Sequence, residues 1–317
     1  GCSVDYSAVE LCTWAQVKLW IFGRSIMADT INASGDPGML HTAFAAQLAG
    51  VTTEQMVVAL KAADPTLKAW AKKFRDAAKP GNFGFPGGMG AAKFVLAQRK
   101  KGAGKTTAAD GTVYPGIRFC ILLAGAERCG VDKVTEWRRR PTPPICRACV
   151  QIVDEQLRPA WFRQWPEAKP YFDWVNDRVG DNGRGELPCF ATDRVRGGLD
   201  FTNGCNNGFQ ALASDGAKNA LRKLTRECYG VGPEGRDSVL YGTRPIFFVH
   251  DEIIAEIPEA TAHLAAPRMA EVMVEAMREY VPDVAITAEP ALMRFWTKAA
   301  ETVYRDGKLI PWEDRNV

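Results

Sequence analysis

Pro-Ile-Phe-Phe-Val-His-Asp-Glu-Ile-Ile-Ala-Glu-Ile, residues 245–257, is the stretch on which the fold turns. Two runs rich in β-formers flank a short polar break, a pattern that predicts a hairpin. The break lacks the Asn-Gly or Asp-Gly pair that favours two-residue turns. It carries His250, Asp251 and Glu252 instead. Adjacent carboxylates repel, so such a tip is settled only in water or beside a cation. Read alone it is a solvated turn; two other stretches change that reading.

The chain has 317 residues, enough for two or three structural units with a sizeable core. At 46% hydrophobic and 24% charged residues it has the composition of a soluble globular protein. Its longest apolar run, 119–126, is too short to cross a bilayer, and there is no signal-peptide pattern, so no membrane partner is expected. With a net charge of only +3, any basic partner surface has to be local. Nine irregularly spaced cysteines predict reduced thiols in a cytoplasmic setting, the host cytoplasm if the chain is viral. Cys146 and Cys149 form a CxxC, half of a zinc site. No second CxxC or His pair follows at zinc-finger spacing, which favours plain thiols. The chain opens on Gly1 and reaches a candidate site residue at Asp5. The expectation is the C-terminal part of a longer polypeptide, or one piece of a divided one.

Residues 2–7 read as the end of a strand, and 8–26 as a helix with Val9, Thr13, Val17 and Trp20 on one face. Asp5 at that junction points outward towards a metal or caps the helix; alone, the cap is the preferred reading. A breaker at 33–37 precedes helices over 41–48 and 52–62, the second opened by a Thr52/Gln55 capping box. A further helix starts near Leu67. On it Arg75, Lys79 and Phe83 are spaced i, i+4, i+8 and form one stripe. Two cations and a ring suit phosphates and a base, or form a solvated basic face with one core phenylalanine. Pro80 and Gly81 predict a kink or break, and Pro86-Gly87-Gly88 the end. Residues 99–107 contain Gly-Lys-Thr. Arg99 stands where a phosphate loop needs glycine, which leaves a basic loop, either on a nucleic-acid backbone or solvated.

Residues 137–149 read as an irregular crossing, and 151–178 as helix with Trp161, Trp165, Tyr171 and Trp174 mostly in the core. Residues 183–198 are turn-rich and basic. Asn206 and Gln210 share a helix face, as amides that read minor-groove acceptors or as an N-cap and an exposed glutamine. Residues 268–280 predict an amphipathic helix with Met269, Met273, Ala276, Met277 and Tyr280 inward. A strand follows over 284–288, and Trp296 and the tail read as surface.

Asp5 and Asp251 both fall where strands end. If those strands are neighbours, the carboxylates converge, and such a pair can hold two Mg2+ ions ~3.5–4 Å apart. At this point the chain resembles the palm and fingers of a family A DNA polymerase, the DNA polymerase I type, in a bacteriophage-like version. Asp5-Tyr6-Ser7-x-x-Glu10 is similar to the first palm motif, and Arg75-x-x-x-Lys79-x-x-Asn82-Phe83-Gly84 to the O-helix motif. Asn206-x-x-x-Gln210 with Ala213-Ser214-Asp215 is similar to the segment before the last motif. Val249-His250-Asp251-Glu252 resembles the last palm motif.

The resemblance implies an α+β fold with an antiparallel palm sheet backed by helices and a mainly helical fingers subdomain. It divides the chain into palm 1–37, fingers 38–200 and palm 201–317, with an O-helix at 67–90 and an insertion at 102–149. Thumb and exonuclease domains are expected to be missing. It further implies Asp5, Asp251 and the Tyr6 carbonyl as ligands of two Mg2+, and Glu252 as support for that site. Glu10 excludes ribonucleotides. Arg75 and Lys79 bind the dNTP triphosphate, and Lys79 protonates pyrophosphate. Phe83 lies against the nucleotide and discriminates against dideoxynucleotides. Asn206, Gln210 and His250 contact primer-template DNA. The partners are then DNA, dNTPs and a missing thumb segment or second chain. Gly87 stands where that family has a tyrosine, leaving the stacking role vacant or to Phe85. A single-subunit RNA polymerase and a non-catalytic DNA-binding or scaffold piece are the alternatives; Glu10 speaks against the first and the retained carboxylates against the second.

Overall fold

The computed structural model describes residues 1–101, 105–107, 111, 113–125, 136–137, 140–141, 146–180 and 184–313. Residues 102–104 of the basic loop and parts of the 137–149 crossing lie outside them. The chain forms a mixed α+β fold of two compact units. One comprises Gly1–Gly38, Pro188–Val195 and Asn207–Val317; the other comprises Met39–Leu187 and Arg196–Asn206.

The first unit is built on a six-stranded sheet. In spatial order its strands are Val303–Arg305, Lys308–Trp312, Ala288–Met293, Cys2–Tyr6, Glu252–Glu256 and Arg244–Val249. Neighbours are antiparallel except Ala288–Met293 with Lys308–Trp312. Alternation along Cys2–Tyr6 sets the two faces. Cys2, Val4 and Tyr6 are buried, opposite Ala255 and Ile253 on one side and Leu292 and Pro290 on the other. This face packs on the helix Ala262–Arg278, whose Met269, Met273, Ala276 and Met277 are buried. Tyr6 Oη donates to the Met273 carbonyl at 2.6 Å and fixes the helix against the strand. Ser3, Asp5, Glu252 and Glu289 fall on the opposite face.

Several boundaries differ from the sequence reading. The first helix ends at Phe22, where Gly23 adopts φ +69°, and Ser25 caps a second helix, Ile26–Ser34. Trp20 is not inward: it is exposed and stacks on Phe190. The helix expected over 268–280 starts at Ala262 and leaves Tyr280 outside. The last-third strand spans Ala288–Met293, not 284–288, and the tail is no mere surface, because Val303–Arg305 and Lys308–Trp312 extend the sheet. Sheet hydrogen bonding decides these cases, and local apolar alternation over 284–288 could not reveal it.

The second unit is mainly helical: Met39–Ala49, Thr53–Lys61, Pro65–Gly84, Ala91–Lys101, Phe119–Ala124, Arg147–Ile152, Arg158–Gln164 and Ala168–Val179. Thr52 and Gln55 form the reciprocal capping box. The helix Pro65–Gly84 starts on an Asp64 cap with Pro at its first position and runs through Pro80 without breaking. Pro80 forfeits one backbone hydrogen bond, but the next two residues lock the helix down. A Cβ on Gly81 would sit 3.1 Å from the Phe44 ring and 3.2 Å from Phe85, so glycine lets both rings approach the helix without being displaced.

Asn82 is fully buried. Its Oδ1 accepts from Trp161 Nε1 and Trp165 Nε1, each at 3.1 Å. Indoles only donate, which fixes the amide's orientation. Its Nδ2 therefore faces the Leu40 carbonyl and His41 Nδ1, each at 3.1 Å. The helix predicted over 151–178 is interrupted at Trp165, whose ring joins this network. Among the described residues no single helix is long and apolar enough to cross a membrane.

Four groups bond to the Asn82 amide, and removing it takes away the acceptor shared by two buried indole N–H groups. Asn82→Ala is expected to lower unfolding free energy by about 3 kcal/mol, read from urea denaturation followed by tryptophan fluorescence.

Candidate functional site

The acidic site belongs to the first unit. Pairing of Val249 with Glu252 leaves His250 and Asp251 as a two-residue turn. The first position of such a turn needs positive φ, normally supplied by glycine. Here His250 adopts φ +59°. One strand over, Asp5 pairs directly with Glu252 and, on its other side, with Glu289. Asp5 is followed by a tight passage into the helix Val9–Phe22, where Ala8 takes φ 49°, another left-handed residue that is not glycine. Asp5 is exposed, Asp251 half-buried and Glu252 buried.

The electrostatics follow from this crowding. Asp5 stays accessible to solvent, but partial desolvation at the strand end, then the charges of Asp251 and Glu252, push its carboxyl up to about 6. Burial likewise raises Asp251, partly offset by a backbone hydrogen bond and the charges of His250 and Lys298. Burial pushes Glu252 upward too. Hydrogen bonds from Ser3 and Lys298 outweigh it and hold this carboxyl below its ordinary value. Lys298 Nζ lies 3.0 Å from Glu252 Oε2. Glu252 is thus the anchored member, fixed by Ser3 Oγ and Lys298. Asp5 and Asp251 are the members whose charge is offset only in part, by Lys298 and backbone hydrogen bonds. A cleft lined by Ser3, Asp5, Glu252, Glu289, Lys298 and Glu301 opens on this face.

Sequence reasoning missed Ser3, Glu289 and Lys298. Asp5–Glu289 pairing follows the strand alternation and was findable once the strand over 288–293 was known. Lys298 lies in the expected surface tail and carries no local signal. The Tyr6 side chain is core, so only its carbonyl can serve a ligand. Glu10 lies half-buried in the first turn of its helix, and Gln210 is exposed on the helix Phe201–Cys228.

The basic stripe lies in the second unit. On the helix Pro65–Gly84, Arg75 is half-buried, while Lys79 and Phe83 are exposed. Helical periodicity places exposed Lys68 and Lys72 on the same face, so the stripe carries four cations rather than two. The Phe83 ring lies 5.2 Å from His41. Phe85 does not take over the role that a tyrosine at Gly87 would have. It is buried in a cluster with Phe94 and Trp161. A Cβ on Gly87 would come within 2.7 Å of the Asn206 amide, so any other residue there has to displace that side chain. Asn206 donates to the Thr202 carbonyl at 2.8 Å and is no helix cap, since Asp200 accepts the Asn203 N–H.

The chain thus has a mixed α+β fold, with a mostly antiparallel sheet that carries acidic residues at one end of its central strands, and a helical second unit. Among solved structures the chain is similar to one described as the POL domain of Pol1 from M. smegmatis in complex with DNA primer-template and dNTP. The TM-score is 0.53 at 17% sequence identity, over 92% of this chain and 38% of that one. No family model and no curated protein matches the sequence.

Two titrations are testable. The folded state holds the Asp5 proton more tightly than the unfolded chain, so stability falls as pH rises from about 4 to about 6. Without divalent cations, Asp5→Asn should melt above wild type at pH 8, and the gap should close below pH 4; thermal scans at both pH values check this.

His41 has the opposite sign. Burial, then Arg75 and Lys79, push it down to about 3, so it is neutral when folded, with Nδ1 accepting from Asn82. The unfolded chain binds this proton first, and stability is lost as pH falls below 6.5. The loss is on the order of 3 kcal/mol by pH 4. His41→Gln should flatten that slope in urea titrations.

Proposed function

We propose that the chain performs template-directed DNA synthesis of the family A type, transferring a nucleotidyl group from a dNTP to a primer 3′-OH. The observation that carries the reading is the crowding of Asp5, Asp251 and Glu252 across neighbouring strands. Three carboxylates faced mainly by Lys298 make a donor set of hard oxygens that suits divalent magnesium. Asp5, Asp251 and the Tyr6 carbonyl would hold two Mg2+, which when bound supply charge stabilisation for phosphoryl transfer.

The protein's own groups do the rest. Glu252, tied to Ser3 and Lys298, keeps the strand end fixed beside the two aspartates. Arg75 and Lys79 bind the triphosphate as charge-assisted donors, with Lys68 and Lys72 extending the positive face. Lys79 hands a proton to the leaving pyrophosphate. Phe83 offers its exposed face to the nucleotide. Glu10 crowds the sugar and disfavours a 2′-hydroxyl. Asn206, Gln210 and His250 contact the primer-template.

The chain spans about two fifths of the length of the solved polymerase structure it resembles. A duplex-gripping part, in the same polypeptide or a second chain, completes the reading. Primer extension with Mg2+ and dNTPs tests it, using the chain alone and joined to the product of its upstream reading frame. The joined form should extend primers efficiently and the chain alone poorly. Asp251→Ala should reduce synthesis about 10²–10³-fold, and Glu10→Ala should raise rNTP incorporation relative to dNTP. Synthesis indifferent to Asp251→Ala, or absent in every reconstitution, sinks the reading and leaves a DNA-binding scaffold.

A further inference from the structure

The CxxC does not stand alone. Cys120, 26 positions upstream of Cys146, brings a third sulfur to the pair. Its Sγ lies 3.3 Å from Cys149 Sγ and 3.9 Å from Cys146 Sγ, and all three sulfurs lie within 4.8 Å of one another. Cys120 is 1% exposed and the other two fully buried. Cys146 caps the helix Arg147–Ile152, its sulfur accepting the Cys149 N–H at 3.4 Å. The missing second CxxC favours plain thiols; the structure adds a third sulfur beside the pair. The third donor arrives singly, from the helix Phe119–Ala124, so no spacing rule could flag it.

Two ordinary explanations fit less well. Buried cysteines behave as small apolar side chains and pack wherever they fit. Cys2, Cys12, Cys189, Cys205 and Cys228 do so, but among the described residues only Cys120, Cys146 and Cys149 gather. A disulfide would join two of them and leave the third thiol buried against it. The sulfur separations instead bracket the ~3.8 Å edge of a tetrahedron with metal–sulfur distances of ~2.3 Å. Sulfur donors select soft or borderline ions and disfavour magnesium and calcium.

We propose that Cys120, Cys146 and Cys149 form a thiolate site for zinc, separate from the acidic site and independent of the polymerase reading. Binding releases the thiol protons to solvent and ties the helices Phe119–Ala124 and Arg147–Ile152 together. The fourth tetrahedral position is not assigned among the described residues.

The test reconstitutes the full chain with zinc under reducing conditions, removes excess metal, and measures bound metal by mass spectrometry. About one zinc per chain is expected, lost in Cys120→Ser and Cys149→Ser and kept in Cys228→Ser. Cobalt in place of zinc in the unmutated chain gives a readout that needs no variant. Strong sulfur-to-cobalt charge-transfer bands and intense tetrahedral d–d bands are expected. Metal content equal to that of the triple serine variant, a pale octahedral cobalt spectrum, or a Cys120–Cys149 disulfide in protein isolated with thiols blocked would each overturn the proposal.

Discussion

The strand Cys2–Tyr6 has to satisfy two demands at once. Its even-numbered residues fill the core against the helix Ala262–Arg278, and its odd-numbered residues present Ser3 and Asp5 to the other face. A slip of one residue would bury Asp5 and expose Val4 and Tyr6, so core burial itself fixes the position of the carboxylate. Glu252 and Glu289 are held opposite Asp5 by the same register. The repulsion between Asp5 and Glu252 is therefore built in by apolar packing and cannot relax by strand sliding.

Backbone strain accompanies this crowding. His250 and Ala8 both adopt left-handed conformations that glycine would take more easily. Each adjoins a strand end that carries an aspartate. Such conformations persist where surrounding structure over-determines them, and they gather at functional sites. The sheet ladder on either side of the 250–251 turn, and the helix Val9–Phe22 after Ala8, supply that constraint.

The second unit solves a different problem, keeping a cationic helix continuous across a proline. The lost hydrogen bond at Pro80 is offset by contacts of the next two residues, the close approach at Gly81 and the four polar contacts of Asn82. The Asn82 network also sets the tautomer of His41, whose ring lies against Phe83. The exposed stripe is thereby tied to a buried polar network one helix face away.

Much of this was legible in the residues alone. Two β-rich runs around the polar break at 250–252 gave the hairpin, Thr52 and Gln55 gave a helix start, and the aspartates at predicted strand ends pointed to the candidate acidic site. These signals are local, and local periodicity and capping chemistry survive in one dimension. What only the tertiary structure decided was non-local. It includes the pairing of Asp5 with Glu289, Lys298 reaching Glu252 from a tail with no pattern, two terminal strands, helix continuity through Pro80, and a third thiol beside the CxxC. Each depends on which distant segment folds against it, and hydrogen bonding and packing between such segments leave no periodic trace in the sequence of either partner.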